Sequence, residues 1–255
     1  IPCSIKAPCI WPKNSLKPTL WPPRRWHIVS DPPWDIVAAL EPPTYWPQLG
    51  KIDSTDTISA LPLLNSDIPL LFLGEEIPFS LVDKPIPISN VALRSACFIA
   101  RNCDSRSGRE NVVKQLSKLI SIDSLGECLN NAPWPPELDK SNTIGVINKY
   151  MFYLAFENSC AIDYTSEKIY NALAAGSVPI YYGNPRVLKL VPPNSVIQVT
   201  DYKSISELAN HIKHLIANRE EYLKYHAWRQ NTTTSLASLY FARTDFRCRA
   251  CIFIY

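Results

Sequence analysis

The segment Tyr150 to Gly183, YMFYLAFENSCAIDYTSEKIYNALAAGSVPIYYG, carries the pattern that decides the fold. MFYLAF is a short apolar and aromatic run, which is typical of a buried strand. After a polar loop, EKIYNALAA spaces its apolar residues along one face of a helix, and Gly176 stands where such a helix ends in a left-handed residue. VPIYY is then a second buried strand. This order predicts two parallel strands joined by a right-handed connection.

The polar loop ENSCAIDYTSEK follows the first strand at its carboxyl end, where ligands bind in parallel sheets. Glu167 and Lys168 fall in the first turn of the predicted helix, whose N-terminus favours an anion because its N–H groups lack partners. A cation at that end indicates a bound anion, and Glu167 could accept hydrogen bonds from neighbouring hydroxyls of a sugar. The alternative is an ordinary acidic first turn beside a solvated lysine, and the pattern alone leaves both open.

Taken together, ENS, DYxSEK and NAxxxGxVPxxxG resemble the donor-binding signature of the α1,3-fucosyltransferases of glycosyltransferase family 10, which use GDP-fucose. The plant-type core enzymes are the most similar, and the family usually has Thr where Ser166 stands. The resemblance implies an α/β fold of the GT-B type with a doubly wound C-terminal donor domain. It also implies donor-binding roles for Arg109, Asn158, Tyr164, Glu167 and Lys168.

Three regions are expected along the chain. Residues 1–92 form a shortened, Pro-rich acceptor-side region, whose first 35 residues we expect to be irregular because proline blocks helices and removes donors. Residues 93–230 form a Rossmann-like GDP-fucose-binding domain, and residues 231–255 form a tail. Within the central domain, ACFIAR, SIDS, MFYLAF, VPIYY and SVIQV are predicted strands, and 109–120 and 205–230 are predicted helices.

The composition limits the classes of protein. The 255 residues are 46% apolar and carry a net charge of +3, with basic residues dispersed, so we expect one large or two modest domains and no nucleic-acid partner. No apolar run is long enough to cross a membrane. The chain begins at Ile1 without an initiator Met or signal segment, and we therefore expect any membrane anchor to lie outside it.

Arg109 opens the helix of a second predicted strand–helix unit, after the polar loop NCDSRSG. Its planar guanidinium suits a phosphate group, since it forms two parallel charge-assisted hydrogen bonds. The alternative is an ordinary surface cation. The family carries Ser where Arg101 stands, and no role is assigned to Arg101.

Glu41 ends the predicted strand that starts at Asp35, and two prolines follow it. A carboxylate at a strand end facing a cleft can act as a general base, and a plain surface Glu is the alternative. The family has a similar Glu-Pro-Pro followed by a segment that Ser66-Asp67-Ile68-Pro69 matches. The resemblance therefore implies that Glu41 takes the proton of the acceptor hydroxyl.

Eight cysteines suit an oxidising compartment. Cys248 and Cys251 form a CxxC without the further ligands of a zinc site, and the resemblance, which extends to a similar C-terminal motif, implies a disulfide between them; free thiols are the alternative. Asn231 starts a glycosylation sequon. No metal site is predicted, and the pairing of six cysteines stays open: Cys3, Cys9, Cys97, Cys103, Cys128 and Cys160.

The resemblance implies an inverting transfer of L-fucose from GDP-fucose to a GlcNAc hydroxyl, in α1,3 linkage, on a glycoprotein N-glycan or related glycan. It implies no obligatory cofactor, with room for stimulation by a divalent cation, and a Golgi lumenal, type II membrane protein in the full-length form. The alternative is an inactive remnant that binds GDP-fucose without turnover, because only Pro-rich residues precede the donor domain.

Overall fold

The computed structural model describes residues 25–29, 35–39, 57–60, 94–161 and 164–230. The first three ranges are strands β1 (Arg25–Val29), β2 (Asp35–Ala39) and β3 (Thr57–Ala60). β1 pairs antiparallel with β2, and β2 pairs parallel with β3. Glu41, Asn231, Cys248 and Cys251 lie outside the described residues, so their predicted roles stay predictions.

Of the N-terminal strands, β2 agrees with the prediction from the sequence and β1 does not. β2 begins at Asp35, where a strand was expected. β1 falls in the segment expected to be irregular. RWHIV is rich in aromatic and β-branched residues, whose fit to a pleated sheet outweighs the prolines on either side.

A second sheet has five strands, all parallel, in the order β5-β4-β6-β7-β8. The strands are β4 (Arg94–Phe98), β5 (Ile122–Ser124), β6 (Tyr150–Phe156), β7 (Val178–Tyr182) and β8 (Ile197–Gln198). These are the five predicted strands, and all seven residues of the central strand β6 are buried.

The α-helices of this domain are α1 (Arg109–Leu116), α2 (Thr143–Ile147), α3 (Glu167–Ala175), α4 (Ile205–Ala217) and α5 (Arg219–Lys224). Short 3-10 helices cover Pro185–Leu190, Val199–Asp201 and Ala227–Gln230. None of the helices in the described ranges is long and apolar enough to cross a membrane.

Helices cover both faces of the five-stranded sheet. On one face Tyr153 of β6 packs in a cluster with residues of α2 and α3. On the other face its neighbours Phe152 and Leu154 pack in a cluster with residues of α1, α4 and α5. Because successive strand residues point to opposite faces, β6 serves both clusters. The doubly wound α/β architecture is therefore confirmed.

The observed helix ends show which of the predicted ends were correct. Gly176 ends α3 with a φ of 78°, the left-handed conformation expected of it. The helix predicted over 205–230 is instead divided at Asn218, whose φ of −122° and ψ of 83° are not helical. α1 ends at Leu116, four residues before the end of the helix predicted over 109–120, and Leu119 beyond it is 37% exposed.

The strand order places a topological switch between β4 and β6. From β4 the chain moves outward to β5, and it then returns to form β6 on the other side of β4. The connections leave the carboxyl ends of β4 and β6 in opposite directions, which opens a crevice there. Open α/β sheets bind their ligands in such crevices.

Candidate functional site

A cleft of about 670 Å³ lies at this switch point. The segments after β4, β5 and β6 and the first turns of α1 and α3 line it. Its lining holds four basic side chains and two acidic ones: Arg101, Arg109, Lys140, Lys168, Glu127 and Glu167. The excess of positive charge favours an anionic ligand.

Arg109 is a buried part of the cleft wall, with 2% of its surface exposed. Its guanidinium donates to the carbonyl oxygen of Phe156 at 2.8 Å and to that of Asn102 at 3.1 Å. It also lies over the ring of Phe98, 5.7 Å from the centroid. Arg109 therefore joins the loop after β4 to the end of β6, and the alternative of an ordinary surface cation is excluded by its burial.

Glu157 follows β6 directly and is fully buried, with 0% exposed. Its carboxylate accepts from the backbone N–H of Ser166 at 2.8 Å and from the Ser166 hydroxyl at 2.6 Å. Burial raises the pKa of Glu157, and the Lys168 ammonium 3.6 Å away partly offsets this. Sequence reasoning gave Glu157 no role, although it stands directly after the predicted strand and is the first residue of the ENS motif.

Lys168 lies in the first turn of α3, and its side chain is 12% exposed. Its ammonium donates to the Ser166 hydroxyl at 2.8 Å and to the Glu167 carboxylate at 3.2 Å. Burial by itself would lower the pKa of Lys168, but the carboxylates of Glu157 and Glu167 outweigh it and raise that pKa. Lys168 is therefore a firmly protonated cation in the cleft wall, and the alternative of a solvated lysine does not hold.

Four of the five predicted donor-binding residues meet in the cleft: Arg109, Asn158, Glu167 and Lys168. Asn158 is half-buried, and its backbone carbonyl accepts from the backbone N–H of Ser107 at 3.1 Å. Tyr164 is not among the lining residues. It is 1% exposed, and its carbonyl accepts from the hydroxyl of Tyr181 at 3.5 Å.

The segment after β5 forms a wall of the cleft that sequence reasoning missed. Trp134 is half-buried there, and its indole N–H donates to the carbonyl of Leu138 at 3.0 Å, which fixes the ring. The amide nitrogen of Asn130 has three backbone carbonyl acceptors, in Ser124, Gly126 and Ala132, at 3.3, 3.0 and 3.2 Å. An aromatic residue between prolines was the available signal.

This wall is held close to the end of β4. A Cβ on Gly126 would lie 2.2 Å from the carbonyl oxygen of Ala100, so the approach requires glycine. A disulfide joins Cys103 to Cys128, 25 residues apart, and settles one of the pairings that the sequence left open. Cys97 and Cys160 are free.

No metal-binding centre is evident in the part of the chain that the structure describes. Within it, no three His, Cys, Asp or Glu side chains are grouped as ligands for a metal ion.

Comparison with known proteins finds fucosyltransferases among the matches. Residues 92–254 match the profile of the glycosyltransferase family 10 (fucosyltransferase) C-terminal domain. GDP-fucose protein O-fucosyltransferase 3 of Bos taurus is 36% identical over 145 residues, which are 54% of this chain and 30% of that protein. 4-Galactosyl-N-acetylglucosaminide 3-alpha-L-fucosyltransferase 9 of Homo sapiens is 31% identical over 214 residues, 83% of this chain and 56% of that protein.

The fold has a counterpart among solved structures. A crystal structure of an α1,3-fucosyltransferase with GDP-fucose superposes with a TM-score of 0.52 over 81% of this chain and 60% of that one, at 23% identity. This likeness confirms the expected GT-B-type α/β architecture. The profile covers more than half of the chain, and the chain therefore belongs to glycosyltransferase family 10, the fucosyltransferases.

Proposed function

We propose that the protein is an inverting fucosyltransferase. It would transfer L-fucose from GDP-fucose to a GlcNAc hydroxyl, in α1,3 linkage, on a glycoprotein N-glycan or a related glycan. The observation that carries the proposal is the cleft at the β4–β6 switch point, whose lining includes Lys168 and Arg109, within a family 10 domain.

The diphosphate of GDP-fucose would lie against Lys168. Charge grows on this diphosphate as the bond to fucose breaks, and a fixed cation in a partly enclosed site stabilises that charge. Lys168 meets this need because its side chain is 12% exposed and its pKa is raised by two carboxylates. Arg109 would add positive charge to the same cleft while it holds the loop after β4 to the end of β6.

The uncharged parts of the donor would occupy the rest of the cleft. Glu167, whose side chain is 37% exposed, can accept hydrogen bonds from the fucose hydroxyls, and Asn158 lines the cleft nearby. Guanine would lie on the wall formed by Trp134, since aromatic rings offer a flat face for stacking with a base.

Glu41 would take the proton of the acceptor hydroxyl. A base acts only in the chemical step, so Glu41→Gln should lower kcat by about 100-fold or more and leave GDP affinity unchanged. A fully active variant would transfer the role to another carboxylate, and loss of GDP binding would indicate a role in the donor site instead.

The decisive experiment combines calorimetric titration with GDP and a GDP-release assay on a panel of acceptors. The panel contains GlcNAc-terminated N-glycans and a folded protein with accessible Ser and Thr hydroxyls, because one relative is named a protein O-fucosyltransferase. Release that depends on GlcNAc supports the proposal, and release with the protein alone changes the acceptor class. GDP binding without release favours the inactive remnant, and no binding overturns the donor assignment.

We also propose that the protein works in the Golgi lumen, as a type II membrane protein in its full-length form. The Cys103–Cys128 disulfide supports this, since such bonds persist in oxidising compartments. Localisation of the tagged full-length protein tests it. The same GDP-release assay with and without EDTA tests the proposal that no cofactor is obligatory and that a divalent cation only stimulates.

A further inference from the structure

Glu157 lies behind the cleft wall and is held from several sides. Its backbone N–H donates to the carbonyl of Tyr182 in β7 at 2.8 Å. Its carbonyl accepts from the hydroxyl of Ser107, just before α1, at 2.6 Å. Its carboxylate reaches the start of α3 through both bonds to Ser166. The carboxylate is therefore a rigid point to which the first turn of α3 is attached.

We propose that Glu157 is a positioning residue that holds the Lys168 ammonium, protonated and directed into the cleft, for the diphosphate of the donor. Lys168 has a long flexible side chain, and its ammonium lies 3.6 Å from the Glu157 carboxylate and 2.8 Å from the Ser166 hydroxyl that this carboxylate binds. The inference rests on the proposed function, because it presumes a diphosphate ligand.

The charged groups around Lys168 show how Glu157 affects the pKa of that lysine. Glu157 faces the ammonium from the end of β6, Glu167 from α3 and Arg109 from α1. Burial and Arg109 lower the pKa of Lys168, whereas the two carboxylates raise it. If Glu157 loses its charge, Glu167 is the remaining carboxylate among the described residues that favours the ammonium, and its side chain is 37% exposed. The pKa of Lys168 should then fall.

The variant Glu157→Gln tests this with little change of shape, because an amide oxygen can still accept from the Ser166 N–H. The matched control is Glu110→Gln. Glu110 is 9% exposed, lies in the first turn of α1, and accepts from the Ser105 hydroxyl at 2.7 Å. Both variants remove one largely buried carboxylate charge at the start of a helix, but only the first removes it beside Lys168.

The first readout is the GDP dissociation constant as a function of pH. The ratio of the Glu157→Gln value to the wild-type value, in which the ionisation of GDP itself cancels, should rise about fivefold or more between about pH 7 and about pH 9.5. The ratio for Glu110→Gln should stay constant. A purely structural role would lower the melting temperature without this rise, so a constant ratio for Glu157→Gln overturns the proposal.

The second readout needs no ligand and separates this inference from the proposed function. Only a neutral amine is acylated, so Lys168 in Glu157→Gln should react with an N-hydroxysuccinimide ester about threefold faster or more than in wild type, as read by peptide mass spectrometry. Lys149, which pairs with Glu137 at 2.7 Å, serves as the internal reference. An unchanged rate at Lys168 overturns the inference whether or not GDP binds.

Ser166→Ala replaces Glu157→Gln if that variant does not fold. It removes the hydroxyl that bonds both the Glu157 carboxylate and the Lys168 ammonium. Its Lys168 should also be acylated faster than in wild type, and an unchanged rate would contradict the proposal. Wild-type protein that binds no GDP would instead refute the proposed function.

Discussion

Two strand–helix units, one on each side of the switch point, each place a cation at the cleft, but the groups around the two cations differ. β4 and α1 form one unit, and β6 and α3 form the other; each brings a polar loop and a cation in the first helical turn to one cleft. Arg109 donates hydrogen bonds to two backbone carbonyls, which carry no net charge. Lys168 lies among the carboxylates of Glu157 and Glu167.

The contacts that hold the two loops in place also differ in whether they involve charged groups. The loop after β4 is tied by a disulfide between Cys103 and Cys128. The loop after β6 is tied to α3 by the buried carboxylate of Glu157. A disulfide and backbone carbonyl acceptors have no titratable proton, whereas a carboxylate and an ammonium both do. The first unit is therefore expected to act mainly on stability, and the second on ligand charge and pH dependence.

Arg109→Ala should have the largest effect, on stability. It leaves the buried carbonyl of Phe156 and the part-buried carbonyl of Asn102 without this donor, and each such loss costs about 1–3 kcal/mol, so the free energy of unfolding should fall by about 2–6 kcal/mol. Urea denaturation measures it. Arg101→Ala is the control, because its side chain is 91% exposed and should change stability little. Equal stability of the two variants would remove the structural role of Arg109.

Replacing Cys103 and Cys128 together by Ala should lower the free energy of unfolding by about 3 kcal/mol, since the bond closes a long loop of the unfolded chain. Denaturation under non-reducing conditions measures the change. Cys160→Ala, at an exposed free thiol, should have no such effect. If the double variant is as stable as wild type, the loop after β4 does not depend on its covalent anchor.

Lys168→Ala should act on the ligand, weakening GDP binding by about 1.5–3 kcal/mol, the range for hydrogen bonds to charged groups. Calorimetry measures it, and Lys203→Ala, at a lysine that does not line the cleft, is the control. If Lys168→Ala binds GDP with wild-type affinity, the diphosphate lies elsewhere, and the second unit does not act on the ligand as expected.

The smallest effect is the pH dependence of the stability of Lys168→Ala. Burial raises the pKa of Glu157, and Lys168 is the main influence that lowers it, so the pKa in the folded variant should rise further above its unfolded value of about 4.3. A raised folded pKa stabilises the protein at low pH, and this stability is lost as pH rises through that pKa. The stability gap between variant and wild type should therefore be about 1 kcal/mol smaller at pH 5 than at pH 7.5, by urea denaturation. A constant gap would mean that Glu157 is not sensitive to Lys168.

Much of the domain built on the five-stranded sheet could be predicted from local pattern. The five strands, α3 and its end at Gly176 follow from short-range periodicity and from the conformational freedom of glycine. The motif from Glu157 to Gly183 also predicted the family, and four residues assigned from the resemblance line one cleft. These features are encoded by neighbours in sequence, so no knowledge of packing was needed.

Only the tertiary structure decided the rest. The order of the strands, and with it the position of the switch point, depends on pairing between residues far apart in sequence. The partner of Cys103, the burial of Arg109 and the wall formed by Trp134 depend on the same long-range contacts. The role of Glu157 is the clearest case: next to Asn158 in sequence it is one more polar loop residue. It becomes an anchor because the fold buries it beside Ser166 and Lys168, where a carboxylate needs partners and an ammonium needs a counter-charge.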